Sequence, residues 1–141
     1  CIMARDFIHA SVRLALEKDS WLITDDPLRI DLPNKIGYYE VDLGAEQVLA
    51  AEREGRKIAV EIKSLLGDSL LNQFHEVLGQ YLNYRSAMAD VGMKRDMYLA
   101  ISTKIYQDMM RIPFLESRIR DFSVKLITVG IDENNIVQWS D

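Results

Sequence analysis

The chain holds a single cysteine, Cys1, among its 141 residues. An internal disulfide framework is therefore excluded, and a zinc cluster would have no thiolates to build on. Both fit a reducing cytoplasm, which is the expected location. Proline is scarce at 3 and glycine at 7, while 48% of residues are hydrophobic and 28% charged. That balance can bury a core and does not read as disordered. The length suits one domain, residues 1–141. No apolar run approaches the roughly 20 residues that span a bilayer, so no membrane partner is expected. The stretch Cys1 to Asp6 lacks a basic segment followed by a long apolar one, and does not read as a signal peptide. Gly37, Gly44, Gly55 and Gly67 are isolated, so no glycine-rich phosphate loop exists. Basic charge is lacking too: the net charge is −5 and the pI about 5.1. A domain that grips DNA unaided is usually basic. The deficit weighs less against an enzyme whose acidic site takes up metal ions, because the ions bring positive charge.

Periodicity gives the elements. Phe7, Ile8, Val12, Ala15 and Leu16 recur at helical spacing, which predicts a helix over 4–19. Trp21 to Thr24 and Leu28 to Asp31 read as short strands, separated by Asp25-Asp26-Pro27. Leu32 to Lys35 is a turn, and Tyr38 to Leu43 is β-rich and alternating. Residues 46–53 suit a helix by composition. A hairpin turning at Glu54-Gly55 into the clear strand 57–63 favours a strand over 47–53 instead. Leu70, Phe74, Val77, Leu78, Tyr81 and Met88 form the apolar stripe of a long helix, 70–89. Arg95 to Ile101 is a strand. Ser102-Thr103 can cap a helix over 104–111, which Pro113 ends. Val124 to Ile131 is a strand, and Glu133-Asn134-Asn135 turns it into Ile136 to Trp139. The order is a helix, a run of strands, then α-β-α-β-β. The fold class is α/β, one mixed sheet flanked by helices.

Chemistry concentrates on strand 57–63. Ile58, Val60 and Ile62 share one face; Ala59, Glu61 and Lys63 share the other. An edge strand with outward charges would also carry Glu61 and Lys63. Ala59 on their face, opposite a fully β-branched face, fits a central strand opening into a polar cleft. Phosphodiester cleavage needs such a pair. Two carboxylates hold Mg2+, with Mn2+ as the alternative, through oxygen. The ion acidifies bound water and offsets charge on the phosphate, and a lysine beside it orients water and stabilises the transition state. Asp42, in Glu40-Val41-Asp42-Leu43, supplies the second carboxylate. On helix 70–89, Gln73, Gln80 and Tyr84 lie within roughly 20° of one direction, at the border of the apolar stripe. A solvated helix edge would look the same. His9 on the first helix is a candidate general base, although a lone helical histidine is more often a surface or packing residue. Met93, Met97, Met109 and Met110 read as core filler. Glu46 and Glu52 read as hairpin charges, and Ser64 and Ser69 have no base partner.

Val41-Asp42-Leu43 followed by Ala59-Val60-Glu61-Ile62-Lys63-Ser64 resembles the core of the PD-(D/E)XK nucleases, with Val41 where the motif has proline. Gln80 and Tyr84 resemble the Gln-x-x-x-Tyr element of one branch, and His9 falls where relatives place a Glu or His. Beyond this, Ala4-Arg5-Asp6, Val41 to Glu46, Lys57 to Ser64, Leu78 to Tyr81 and Ile136 to Trp139 resemble the XisH family, the fdxN-element excision controlling factors of cyanobacteria. The resemblance implies a restriction-endonuclease-like fold. It also implies a role in excising a DNA element during heterocyst differentiation, beside a site-specific recombinase and a companion, XisI. Two functions follow. One is a Mg2+-dependent DNA endonuclease, with Asp42, Glu61 and the Ile62 carbonyl as metal ligands, Lys63 orienting water, and Gln80, Tyr84 and His9 in support. The other is a non-catalytic accessory protein that binds the recombinase machinery or XisI. The intact Asp42, Glu61 and Lys63 favour the first, and the acidic charge favours the second. A partner or a homodimer would have to supply the missing basic surface, or Mg2+ would have to bridge the acidic site to the DNA backbone.

Overall fold

The computed structural model describes residues 4–47, 55–67 and 69–141. Its elements, in chain order, are α1 (Ala4–Lys18), β1 (Leu22–Asp25), β2 (Leu28–Asp31), a 3-10 turn (Pro33–Lys35), β3 (Tyr38–Val41), β4 (Leu43–Gln47), β5 (Arg56–Ile62), α2 (Leu70–Asp90), β6 (Asp96–Ser102), α3 (Thr103–Met110), α4 (Pro113–Asp121), β7 (Lys125–Gly130) and β8 (Asn135–Ser140). Six strands form a mixed sheet in the order β1-β4-β5-β6-β7-β8, and β2 and β3 form a separate hairpin. The strand expected over 47–53 and the turn at Glu54 fall outside the described residues, apart from Gln47. The register from Leu43↔Val60 to Gln47↔Arg56 is antiparallel. Among the described residues no helix is long and apolar enough to cross a membrane.

β5 is central, as its sequence requires. It pairs antiparallel with β4 and parallel with β6. Its two faces feed two cores. Ile58, Val60 and Ile62 join Ile8, Val12, Ala15 and Leu16 of α1. Ala59 joins Phe74, Val77, Tyr81, Tyr84 and Met88 of α2, together with side chains of α3, α4 and the β2–β3 hairpin. The buried positions 8, 12, 15 and 16 make one helical stripe. Full burial of Ile8, Val12 and Leu16 contributes on the order of 5 kcal/mol, comparable to the net stability of a small domain, so α1 is integral. Phe7, placed in that stripe by the sequence, is 53% exposed.

Two expectations need correction. The strand 38–43 is two strands, broken at Asp42, and β3 belongs to the hairpin rather than to the main sheet. The reason lies in burial. On a straight strand Val41 and Leu43 would face the same way, yet Val41 enters the α2-side core and Leu43 the α1-side core. The chain must turn over between them. The second correction is α4, a helix the sequence reading omitted. Pro113, expected only to end a helix, occupies the first turn of the next one, with Ile112 as its N-cap. Proline is at home there because the first helical N–H has no partner anyway. α4 buries only Leu115 and Ile119, too sparse a stripe to stand out. The cap at the start of α3 holds: the Ser102 side chain accepts from the Ile105 N–H at 3.3 Å.

Tyr81, fully inside, ties α2 to the parallel strands. Its hydroxyl donates to the Met97 carbonyl at 2.8 Å and accepts from the Lys125 N–H at 3.0 Å. Tyr81→Phe strands two backbone groups, and the expected cost is about 2 kcal/mol, read as a lower midpoint in urea. An unchanged midpoint would mean that water replaces the hydroxyl.

Candidate active site

Asp42 occupies the turn-over point between β3 and β4, and Glu61 the penultimate position of β5. Because Asp42 lies outside the ladder, its backbone and side chain are free to bond β5. Its N–H donates to Glu61 Oε1 at 3.3 Å, and its Oδ2 accepts from the Ile62 N–H at 2.7 Å. This reciprocal pair brings two carboxylates from different elements together. Lys63, one residue past β5, keeps the pairing with β6 through its N–H to the Ala100 carbonyl at 3.1 Å. Its Nζ stands 3.4 Å from Glu61 Oε2.

These groups line one cleft of about 400 Å3, together with Ile62, Gln80 and Tyr84 of the expected set. Gln80 and Tyr84 reach it because α2 lies across the end of β5 on the Ala59 face. Tyr84 is pinned on its other side by the Tyr39 ring, 5.3 Å between centroids, and Asn83 Nδ2 donates to the Tyr39 hydroxyl at 2.6 Å. His9 is the exception. It does not line the cleft; its Nε2 lies 3.0 Å from Asp26 Oδ1, an acid that also pairs with Arg13. From α1 it is Ile8, a member of the α1-side core, that lines the cleft. Sequence reasoning missed Glu40, which also lines the cleft. The signal was the spacing of Glu40 and Asp42, two apart in a segment that reads as one strand, where alternation would put both on one side.

The electrostatics are those of an under-compensated acidic pair. Glu61 is only 4% exposed. Burial, and then the neighbouring Asp42 carboxylate, push its carboxyl from an ordinary 4.5 up to about 7, with Lys63 pulling the other way. Burial and the same two carboxylates also raise the Tyr84 phenol. Among the described residues no three His, Cys, Asp or Glu side chains converge as a ready metal cluster. What the cleft offers is the paired Asp42 and Glu61 carboxylates, with Glu40 also in its lining, and a strand-end backbone, all hard oxygen donors of the kind Mg2+ prefers.

The family model described as XisH protein matches residues 2–137. The chain belongs to the XisH family. Two solved structures resemble this XisH chain along nearly its whole length. One, from Anabaena variabilis, is described as an fdxN element excision controlling factor protein; it is 37% identical, with a TM-score of 0.83, covering 97% of this chain and 100% of that one. The other is an XisH family protein from Nostoc punctiforme, 36% identical, with a TM-score of 0.82, covering 96% and 100%. No curated protein matches.

The Glu61 environment gives this XisH protein a distinctive pH response in the absence of divalent ions. Glu61 releases its proton near pH 4.5 when unfolded and near 7 when folded, so between those values the folded state holds the extra proton. Stability therefore falls as pH rises from about 4.5 to about 7, then levels. At 1.36 kcal/mol per pH unit the total is on the order of 3 kcal/mol. Glu61→Gln is expected to flatten the profile and to raise stability at pH 8, measured by urea unfolding in EDTA at pH 5 and pH 8. A wild-type profile with no fall across that window would show that the carboxylate pair carries no strain.

Proposed function

We propose that this XisH protein is a metal-dependent DNA endonuclease of the PD-(D/E)XK type, acting in the excision of a DNA element. The observation that carries the reading is the meeting of Asp42, Glu61 and Lys63 in one cleft, reached from three backbone positions by the β3–β4 break and the end of β5. A restriction-endonuclease-like assignment of the fold is supported by the same arrangement: acids on adjacent segments of a mixed sheet with a helix laid across the site. The role in excision is supported by the relative described as an fdxN element excision controlling factor.

Asp42, Glu61 and the Ile62 carbonyl would hold Mg2+ or Mn2+. When bound, such an ion offsets charge on the phosphodiester and acidifies the attacking water. The buried pair fits a cation for a reason of its own: Glu61 resists ionising beside Asp42, and positive charge between them removes that resistance. The Lys63 ammonium orients the water and steadies developing negative charge on the phosphate oxygens. Gln80 and Tyr84 line the helix side of the cleft. His9, bound to Asp26, takes no step.

A second reading is favoured by one observation, the net charge of −5. It makes the protein a non-catalytic accessory that binds an XisI-like companion or the recombinase machinery in the cytoplasm. Both readings expect weak DNA binding by the isolated chain, because affinity for DNA comes largely from Lys and Arg contacts to phosphates. They differ in what metal does. On the endonuclease reading, fluorescence anisotropy at moderate salt should show poor DNA retention in EDTA. Mg2+ should give a clear gain, and Glu61→Gln should abolish it. Nicking of plasmid DNA, assayed with and without an XisI-like partner or recombinase present, should fall about 100-fold in Lys63→Ala. Tight binding in EDTA, indifferent to Glu61→Gln, would leave the accessory reading as the better one.

A further inference from the structure

Glycine in the interior of a helix is unfavourable, because it loses more conformational freedom than any other residue. It is kept where backbone must adopt positive φ, where neighbours leave no room for a Cβ, or where a ligand comes close. Gly37 and Gly92 have φ of 140° and 73°, and added Cβ atoms at Gly44, Gly67 and Gly130 would lie 2.9 Å or less from a neighbour. Gly79 has none of these reasons. It sits mid-way along α2 with helical backbone, on the exposed side, and nothing lies within 4 Å of where its Cβ would be. The fold does not require glycine there.

What Gly79 does line is a groove of about 550 Å3, with Lys63, His75, Glu76, Gln80 and Asn83. Lys63 and Gln80 also line the carboxylate cleft, so the groove continues the cleft across the outer face of α2. Its walls combine the apolar Val77 with polar side chains, and set the Lys63 ammonium against the Glu76 carboxylate. They offer hydrogen bonds and close approach rather than strong attraction. We infer that this groove carries one strand of the DNA substrate away from the carboxylate cleft, and that Gly79 is a point of close approach whose missing side chain lets the sugar-phosphate backbone lie against the helix. The inference rests on the nuclease reading and names the path of its substrate.

The sign of the effect separates this role from a structural one. Gly79→Ala should raise Tm by about 3 °C, since alanine is the better helix former and the added methyl meets no neighbour. The same change should weaken Mg2+-dependent binding of a fluorescein-labelled DNA duplex about tenfold, read by anisotropy before measurable cutting. Gly79→Gln, with more bulk, should weaken it further. The Mg2+-induced rise in Tm should survive in both, because Asp42 and Glu61 are untouched. If the wild type gains DNA affinity with Mg2+ and Gly79→Ala binds equally well or better, the strand path is wrong while the nuclease reading stands. If the wild type shows no Mg2+-dependent gain at all, the nuclease reading fails and takes the strand path with it.

Discussion

The reciprocal bonding of Asp42 to the end of β5 is what the site depends on. Val41 and Leu43 must enter cores on opposite sides of the sheet, and a strand cannot do this without turning over. The turn-over removes Asp42 from ladder pairing, and the end of β5 bonds it in another way: the Glu61 carboxylate accepts from its N–H, and the Ile62 N–H donates to its carboxylate. A packing constraint thus creates a chemical site. Two acids on unrelated elements are held together because hydrophobic residues on either side of one of them disagree about which way to face. Burial keeps the arrangement rigid, since the strand it joins is flanked by neighbours on both edges.

The same constraint explains what could be read from the sequence. β5 was legible because its two faces differ: Ile58, Val60 and Ile62 against Ala59, Glu61 and Lys63. So was the stripe on α2, and with it the approach of Gln80 and Tyr84 to Glu61. Asp42 was found as a residue but its setting was not, because 38–43 alternates smoothly and no local pattern shows that Val41 and Leu43 part company. That is a tertiary fact, set by the β2–β3 hairpin packing Leu28 and Ile30 beside Val41 in the α2-side core. His9 failed for a related reason. Helical period placed it beside Ile8, but its side chain lies against Asp26 and does not line the cleft. The missed α4 shows the limit of punctuation: proline marks a boundary, and whether it closes a helix or opens one depends on what Leu115 and Ile119 find to pack against.

Charge ties the site to the whole molecule. A chain at −5 gains nothing for its own stability by burying a carboxyl beside another. Hydrophobic residues of similar size would fill the space at lower cost, since an under-paired buried acid is destabilising. Glu61 has a partner in Lys63, but at 3.4 Å and with Asp42 opposing it the compensation is incomplete. The strain is local: the surrounding β5 positions are buried and apolar, and their bonds to β4 and β6 are regular. Energy spent at one point of an otherwise consistent fold is the pattern expected of a site kept for a ligand, and strongly shifted acids cluster at such sites.

Gly79 belongs to the same pattern from the opposite direction. Glu61 is a residue whose presence costs stability, and Gly79 is one whose missing side chain does. Each departs from what the local structure would choose, and the two are linked by a continuous surface through Lys63 and Gln80. Departures scattered over a protein can be accidents of a tolerant surface. Two on one surface are complementary on the proposed reading: Asp42 and Glu61 would hold a cation, and Gly79 would leave room for the substrate strand on its way out of the cleft. The acidic character of the chain then ceases to be an obstacle. Affinity would come from the ion and from fit rather than from a basic surface, and the protein would stay off DNA until a metal ion or a partner lets it engage.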